Sequence, residues 1–153
     1  MSEVQNNRGL FNKDVFERSK VDKAFTPDWF LTQLTDIFDF DFDPCPRNWD
    51  KSFDGLTCEW GKRNYCNPPY SEKIKWIKKA IEEQQKGRLT VMFLPVDTST
   101  KYYHELLKPN SLIHHIKGRV KSDKGNPPFF ATMLCIFMPQ ITFRRLRDLD
   151  ARV

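Results

Sequence analysis

The length of 153 residues fits one domain, because a single hydrophobic core commonly serves about 100 to 150 residues. The hydrophobic share of 39% includes 13 Phe and suffices for such a core, whereas 29% charged residues without a long apolar run argue against a membrane-spanning helix. The formal net charge of +5 favours an anionic partner such as DNA or RNA, although charge alone is a weak indication.

The composition divides the chain into three parts. Residues 1–22 are polar, lack hydrophobic periodicity and carry no signal-peptide features, which predicts a flexible arm and an intracellular protein. Residues 23–139 form the predicted folded domain, and residues 140–153 form a polar, Arg-rich tail with a solvated end. The 4 cysteines contain no CxxC pair, which favours reduced thiols and argues against a zinc site.

The first predicted helix has Thr26 as its N-cap and Pro27 as its first helical residue, and it continues to about Phe38. Its apolar face is predicted from three residues at helical spacing: Phe30, Leu34 and Ile37. Residues 38–43 then alternate Phe and Asp, which predicts a strand with its aromatic side toward the core.

Strands and helices alternate along the rest of the chain. Predicted strands span residues 64–66, 89–94, 112–116 and 130–138, and a short helix spans residues 101–107. A further helix would be capped by Ser71 and end at Gly87, with Ile74, Ile77 and Ile81 on one face. This alternation predicts an α/β fold with a mostly parallel sheet, helices on both faces, and ligand sites at the carboxyl ends of the strands.

The tetrapeptide Asn67-Pro68-Pro69-Tyr70 carries the clearest chemical signal. The lone pair of an aromatic amine is delocalised into its ring, so methylation of that nitrogen requires acceptors that hold both amine hydrogens. The Asn67 side-chain carbonyl and a backbone carbonyl fixed by Pro68 suit this role without a strong general base. Tyr70 can stack on a base rotated out of a duplex, and the two prolines preorganise the loop.

The sequence contains a second match to this pattern, Asn126-Pro127-Pro128-Phe129. Asn and Pro also favour ordinary turns, but chance produces such a tetrapeptide in only about one in a thousand chains of this length. We assign catalysis to Asn67 because its tetrapeptide joins a strand end to a helix, whereas the second match runs from a polar loop into a strand. His104, His114 and His115 lack partners at catalytic spacing and are interpreted as structural.

Several short segments between residues 24 and 138 occur in a characteristic order: Thr26-Pro27-Asp28-Trp29-Phe30, Phe40-Asp41-Phe42-Asp43-Pro44-Cys45, Asp54-Gly55-Leu56 with Trp60, Asn67-Pro68-Pro69-Tyr70, Gly118-Arg119-Val120 and Pro128-Phe129. These segments resemble those of the phage-type DNA N6-adenine methyltransferases, a compact branch of the enzymes that use S-adenosylmethionine (SAM). The resemblance implies an abbreviated Rossmann-like fold and transfer of a methyl group from SAM to the N6 amine of adenine at specific sites in DNA. It also implies the cytoplasm of a bacterial host, if the protein is phage-encoded.

The resemblance further implies a cofactor site. Thr26-Pro27 and the corner Asp43-Pro44-Cys45 would contact the methionine end of SAM, and Asp54 would accept a hydrogen bond from its adenine amine. From the residues alone, a helix cap stays open for Thr26-Pro27 and a turn aspartate for Asp54. The chain lacks the glycine-rich turn and the ribose-binding acidic residue of larger relatives, so the ribose contact is unassigned.

Four cations in the basic loop at residues 117–125 are predicted to contact DNA phosphates: Lys117, Arg119, Lys121 and Lys124. A solvated surface loop is the alternative. Any sequence preference is expected to come from this loop and from residues 97–100. Three other functions stay open, namely methylation of RNA adenine, methylation of a protein glutamine amide, and DNA binding without catalysis. The sequence does not decide between a monomer and a dimer.

Overall fold

A four-stranded mixed sheet lies at the centre of the computed structural model, which describes residues 26–47, 49–121 and 130–150. Its strands are β1 (Arg63–Cys66), β2 (Leu89–Pro95), β3 (Leu112–His115) and β4 (Thr132–Phe137), in the spatial order β1-β2-β4-β3. β1 pairs parallel with β2, whereas β4 pairs antiparallel with both β2 and β3. Because β1, β2 and β3 therefore point the same way, their last residues share one edge of the sheet, which we call the carboxyl edge.

The prediction of a mostly parallel sheet is wrong for the described strands, because two of their three pairings are antiparallel. Every residue of β4 is buried, as in a strand that is covered on both faces. A continuous apolar run of this kind is typical of parallel strands, yet it records only burial on two faces and not strand direction. The α/β class itself is confirmed.

Helices cover both faces of the sheet, as predicted. α1 (Asp28–Phe38) contributes to a hydrophobic cluster on one face that includes Phe93 of β2. α2 (Lys73–Gln85) contributes to a second cluster that includes the next residue of β2, Leu94. Adjacent side chains of β2 thus point to opposite clusters, as the period of two in a strand requires.

α1 confirms the first predicted helix and its end at Phe38, but it differs in its N-cap residue and in the exposure of Ile37. Pro27 rather than Thr26 is the N-cap residue, and it provides no side-chain cap. Ile37, predicted to face the core, is 71% exposed. The chain turns directly after the helix at Asp39, whose φ is 51°, and Phe40 enters the core instead.

The strand predicted at residues 38–43 is reduced to a single parallel bridge to β1 at Phe42. The backbone N–H groups of Asp41 and Phe42 both donate to the Arg63 carbonyl oxygen, at 2.9 and 3.3 Å. Two residues opposite one is the pattern of a β-bulge, which breaks the alternation of side chains. As a consequence, Phe40 and Phe42 pack into clusters on opposite faces of the sheet.

α2 begins at Lys73 after a 3₁₀ turn at Tyr70–Glu72, slightly later than a cap at Ser71 predicts. Ile74 is 45% exposed, although the predicted apolar face included it. The predicted end of the helix is confirmed at Gly87, where the φ of 86° favours a residue without a Cβ.

Two further helical segments complete the structure. The connection after β2 contains a π-helical turn at Tyr103–Leu107, followed by α3 (Lys108–Asn110), which confirms the predicted helix there. α4 (Gln140–Asp150) forms where the sequence predicts a polar tail, and its Phe143 is buried. None of the described helices combines the length and apolar character needed to cross a bilayer.

A buried ion-pair network joins the end of α2 to the start of β2. Glu83 is fully buried, with Lys79 Nζ 3.0 Å from its Oε1 and Arg88 bound to its Oε2. Burial alone would raise the pKa of the Glu83 carboxyl, but the hydrogen bonds with Lys79 and Arg88 outweigh it and hold this pKa below its usual value. The ionised carboxylate therefore contributes stability above its unfolded pKa of about 4.3, and this contribution is lost as the pH falls through the lower folded pKa.

Replacing Glu83 with Gln is expected to lower the free energy of unfolding by about 2 kcal/mol at pH 7, because Lys79, Lys86 and Arg88 lose their buried counter-charge. Urea unfolding of the variant and the unmodified protein at pH 7 and at pH 3 measures this difference. The deficit should shrink at pH 3, because the unfolded carboxyl is protonated there and part of the contribution of the ionised Glu83 is lost. Glu82→Gln is the control, since Glu82 is largely exposed and its removal should cost less than about 0.5 kcal/mol. An equal loss in both variants would contradict the prediction.

Candidate active site

The tetrapeptide Asn67-Pro68-Pro69-Tyr70 lies at the carboxyl edge of the sheet. β1 ends at Cys66, so Asn67 is the first residue beyond the strand. Asn67 is 4% exposed and Pro68 is also buried, while Pro69 and Tyr70 are partly exposed. The predicted placement between a strand end and a helix is confirmed, because the tetrapeptide leads into the 3₁₀ turn and α2.

Thr26 connects the start of α1 to this tetrapeptide. Asn67 Nδ2 donates a hydrogen bond to Thr26 Oγ1 at 3.3 Å. The same Thr26 oxygen is hydrogen-bonded to the hydroxyl of Tyr65 in β1. All three residues are buried. The Thr26 side chain therefore contacts the tetrapeptide and does not cap α1. The N-cap residue of that helix is Pro27.

Tyr65 is a further residue of the candidate site that sequence reasoning missed. Burial raises the pKa of its phenol well above the ordinary value; the hydrogen bond with Thr26 opposes this shift, and the Asp43 carboxylate adds to it. The phenol is therefore protonated at neutral pH and keeps a hydrogen to donate. Its only signal in the sequence is a place in a predicted strand two residues before Asn67.

The predicted cofactor corner, Asp43-Pro44-Cys45, lies at the same edge because the bridge at Phe42 runs parallel to β1. Asp43 is buried, and its Oδ1 accepts a hydrogen bond from the Cys45 backbone N–H at 2.8 Å. Arg47 Nη2 donates to the Thr26 carbonyl oxygen at 2.5 Å, and its Nη1 lies 3.5 Å from Asp28 Oδ1. Arg47 therefore connects the corner to the start of α1 through its contacts with Thr26 and Asp28. No sequence pattern predicted these contacts.

Asp54 lies in a turn that packs against this corner. Its Oδ1 accepts a hydrogen bond from the Leu56 backbone N–H at 2.9 Å, so it is a turn aspartate with an exposed side chain. A Cβ on Gly55 would overlap the Pro44 carbonyl oxygen, and the Gly55 carbonyl accepts a hydrogen bond from Trp60 Nε1 at 2.6 Å. The structure therefore brings Asp54 next to the corner, while its role toward an adenine amine stays a prediction.

Tyr70 has contacts on both its ring and its backbone. Its ring meets Phe130 edge-on, with 5.4 Å between the ring centroids. Lys73 Nζ donates to the Tyr70 carbonyl oxygen at 3.0 Å. The same Lys73 ammonium also lies near Asp97, in the loop that follows β2. Hydrogen bonds with Ser99 lower the pKa of the Asp97 carboxyl, and the positive charge of Lys73 lowers it further. Lys73, also missed by sequence reasoning, thus lies between the tetrapeptide and the loop that follows β2.

The predicted DNA-binding cations follow β3 at the carboxyl edge. Lys117, Arg119 and Lys121 are exposed, whereas Val120 is buried in the cluster that α1 covers. Neighbouring strands are spaced about 4.8 Å apart, so β3 lies roughly 14 Å from β1, which is three strand positions away. The structure thus places these cations on the side of the sheet where Asn67 lies, as a separate exposed row.

The predicted site residue Lys124 lies outside the described residues, as does the second match, Asn126-Pro127-Pro128-Phe129, which was interpreted as a loop leading into a strand. Within the described ranges, no group of three His, Cys, Asp or Glu side chains could hold a metal ion. All the cysteines are free thiols.

The fold and the site together define an α/β protein whose polar Asn-Pro loop lies at the carboxyl edge of a sheet, beside an acidic corner. Residues 16–126 match the family model described as DNA N-6-adenine-methyltransferase (Dam). The DNA N-6-adenine-methyltransferase of Haemophilus phage HP1 is 29% identical over 162 residues, which covers 91% of each chain. That of Escherichia phage T1 is 35% identical over 81 residues, covering 52% of this chain and 34% of the phage protein. No solved structure matches. The chain belongs to the DNA N-6-adenine-methyltransferase family.

Proposed function

We propose that Asn67-Pro68-Pro69-Tyr70 is the loop with which this chain methylates the N6 amine of adenine at specific sites in DNA, with SAM as the methyl donor. Family membership makes the chain a DNA N6-adenine methyltransferase. The observation that supports the choice of loop is the buried Asn67 at the carboxyl edge, whose Nδ2 is engaged by Thr26. When bound, SAM would supply a methyl group from a positively charged sulfur to a nucleophilic nitrogen, with the C–S bond breaking as the N–C bond forms and neutral S-adenosylhomocysteine leaving.

Asn67 acts on the hydrogens of the target amine. A carboxamide has one donor nitrogen and one acceptor oxygen. Because Nδ2 donates to Thr26 Oγ1, the acceptor Oδ1 is directed to the other side of the amide and is suited to an amine N–H. The Pro68 backbone carbonyl is the second acceptor. Holding both hydrogens localises the nitrogen lone pair for attack on the methyl group, and the methylated nitrogen then releases one proton to water.

Tyr70 provides a surface for the target base. Adenine N6 is inaccessible to an enzyme inside a stacked duplex, so the base must rotate out. Phe130 contacts the Tyr70 ring at an interplanar angle of 83°, and Lys73 holds the Tyr70 backbone carbonyl. These contacts restrict the plane on which a base can stack, an interaction worth about 1–3 kcal/mol per base.

The side chains around the acidic corner fit the amino-acid end of SAM, which carries an ammonium and a carboxylate. Asp43 offers a carboxylate for the ammonium, and Arg47 offers a guanidinium for the carboxylate. Charge-assisted hydrogen bonds of this kind are stronger than neutral ones. Asp54, in the adjoining turn, can accept a hydrogen bond from the adenine amine of SAM. The family resemblance implies cofactor contacts at Thr26, Pro27, Asp43, Pro44, Cys45 and Asp54. We propose all of these except the Thr26 side chain, which is bonded to Asn67 and Tyr65, and we add Arg47.

This arrangement also supports an abbreviated Rossmann-like SAM-methyltransferase fold, with residues 23–139 as the methyltransferase domain. In open α/β sheets, ligands bind beyond the carboxyl ends of the strands. The proposed catalytic loop follows β1, the acidic corner follows the bridge at Phe42, and the cationic row follows β3. All three proposed binding elements thus share the carboxyl edge.

The proposed reaction is tested with purified protein, SAM tritiated in its methyl group, and duplex DNA. We expect label in the DNA and N6-methyladenine among the nucleosides of its digest. Matched reactions with RNA and with a glutamine-containing peptide distinguish the alternative substrates, and isothermal titration of SAM separates an enzyme from a DNA-binding module. Label confined to RNA or to the peptide, or no heat of SAM binding, would overturn the proposal.

Replacing both Lys117 and Lys121 with Gln is expected to weaken DNA binding about tenfold at 0.1 M salt, because each lysine proposed to contact a phosphate releases a condensed counterion. Fluorescence anisotropy of a labelled duplex over a salt series measures the effect. The slope of log K against log salt should decrease in magnitude by about 1.8. Lys78→Gln, an exposed lysine on α2, is the control and should leave the slope unchanged. An unchanged slope in the double variant would show that this loop is an ordinary solvated surface.

A further inference from the structure

Three buried polar groups form a continuous chain next to the proposed catalytic loop. Tyr65, Thr26 and Asn67 are 2%, 3% and 4% exposed. The Tyr65 hydroxyl is bonded to Thr26 Oγ1, which also accepts the hydrogen bond from Asn67 Nδ2. Tyr65 lies within β1, Thr26 lies just before α1, and Asn67 follows β1. These hydrogen bonds therefore connect the start of α1 and strand β1 to the side-chain amide of Asn67.

The orientation of the Asn67 amide matters because its two ends differ in chemistry. Rotation of the amide by half a turn would exchange Oδ1 and Nδ2 and present two N–H donors to the target amine, which is also a donor. Two donors facing one another form no hydrogen bond. The proposed reaction therefore requires Oδ1 toward the amine, and the bond from Nδ2 to Thr26 Oγ1 favours this orientation.

Thr26 can fix the amide only if Thr26 is itself fixed. Its carbonyl oxygen is held by the Arg47 guanidinium, and its hydroxyl by the Tyr65 phenol. Tyr65 is held in turn by β1 and by Phe40, whose ring centroid lies 5.5 Å from that of Tyr65. Both the backbone and the side chain of Thr26 are thus restrained before any substrate arrives, which limits the entropy lost on forming the reactive arrangement.

We infer that Thr26 and Tyr65 are positioning residues that hold the Asn67 amide with Oδ1 toward the target amine. This inference rests on the proposed function of Asn67. It gives Thr26 a role different from contact with the cofactor, which the family resemblance implies. A positioning role affects the turnover rate, whereas a cofactor contact affects SAM affinity, so the two roles make different predictions.

The test compares Thr26→Val, which removes the hydroxyl with little change of shape, with Thr26→Ser, which keeps the hydroxyl. We expect Thr26→Val to lower kcat about tenfold to a hundredfold, with the SAM dissociation constant within about twofold of the unmodified value. Thr26→Ser should restore most of kcat. Tyr65→Phe should lower kcat by a smaller factor, because the Thr26 hydroxyl is still present to accept from Asn67 but is held less firmly. Tyr103→Phe removes the hydroxyl of another buried tyrosine and is the matched control, with kcat unchanged.

A second readout does not depend on activity. In the free protein, nuclear Overhauser effects between the Asn67 Nδ2 hydrogens and the Thr26 side chain should be present and should weaken in Tyr65→Phe. Loss of SAM affinity in Thr26→Val with recovery in Thr26→Ser would instead make Thr26 a cofactor contact and overturn the inference. Absent Overhauser effects, or an unchanged kcat in Thr26→Val, would also overturn it. Failure of the unmodified protein to methylate DNA would contradict the proposed function and leave the Overhauser measurement as the test of this hydrogen-bond chain.

Discussion

Replacing Asn67 with Ala is expected to reduce methyl transfer to DNA by at least about a hundredfold, because the variant loses the side-chain acceptor proposed for the target amine. Asn67 is almost fully buried, and its side-chain amide donates a hydrogen bond to Thr26. The effect should therefore fall on kcat, with SAM binding largely retained. Incorporation of tritiated methyl groups measures the rate, and isothermal titration of SAM measures binding.

Asn126→Ala is the matched control for this experiment, since Asn126 starts the second tetrapeptide of the same pattern. We expect this variant to retain substantial methyl transfer, because the sequence predicts that the second tetrapeptide leads from a polar loop into a strand rather than from a strand into a helix. The opposite outcome, with Asn126→Ala inactive and Asn67→Ala active, would transfer the catalytic role to the second tetrapeptide.

Replacing Gly55 with Ala is expected to lower the free energy of unfolding by on the order of 3 kcal/mol and to weaken SAM binding. The added Cβ would overlap the Pro44 carbonyl oxygen and lie 2.8 Å from the Trp76 ring. A backbone carbonyl cannot rotate away as a flexible side chain can, so the cofactor corner and the turn at Asp54 must separate. Urea unfolding and isothermal titration of SAM measure the two effects.

Gly87→Ala provides the comparison, because Gly87 has a φ of 86° but no neighbouring atom within 4 Å of an added Cβ. Its loss of stability should be limited to the strain of the left-handed conformation, about 1 kcal/mol, with SAM binding unchanged. If Gly55→Ala behaves like Gly87→Ala, then the close packing of the corner on the Gly55 turn does not support the cofactor site.

Much of the local structure could be predicted from the sequence, because the signals are local. α1 follows from helical spacing, and the end of α2 at Gly87 follows from the conformational freedom of glycine. The strand before Asn67 follows from a short run that ends at two prolines. The place of the tetrapeptide between a strand end and a helix follows from the order of these signals. The cationic residues after β3 could likewise be recognised from composition.

The contacts between distant segments could not be predicted. Arg47 and Tyr65 reach Thr26 across 21 and 39 residues of sequence, and no spacing rule describes such contacts. The bulge at Phe42 arises from backbone hydrogen bonds to β1, which the alternation of Phe and Asp does not encode. The direction of β4 was missed for the same reason, since burial on two faces leaves strand polarity undetermined.

The antiparallel direction of β4 determines which residue contacts the proposed catalytic loop. Since β4 runs against its neighbours, its first residues lie at the end where β2 finishes, and the Val96 N–H donates to the Ala131 carbonyl there at 2.9 Å. Phe130 consequently arrives within contact of Tyr70. If β4 ran parallel to its neighbours, Phe130 would lie at the opposite end of the sheet. The start of β4 thereby adds an incoming segment of the chain beside the proposed catalytic loop, a contact that the outgoing ends of the parallel strands could not supply.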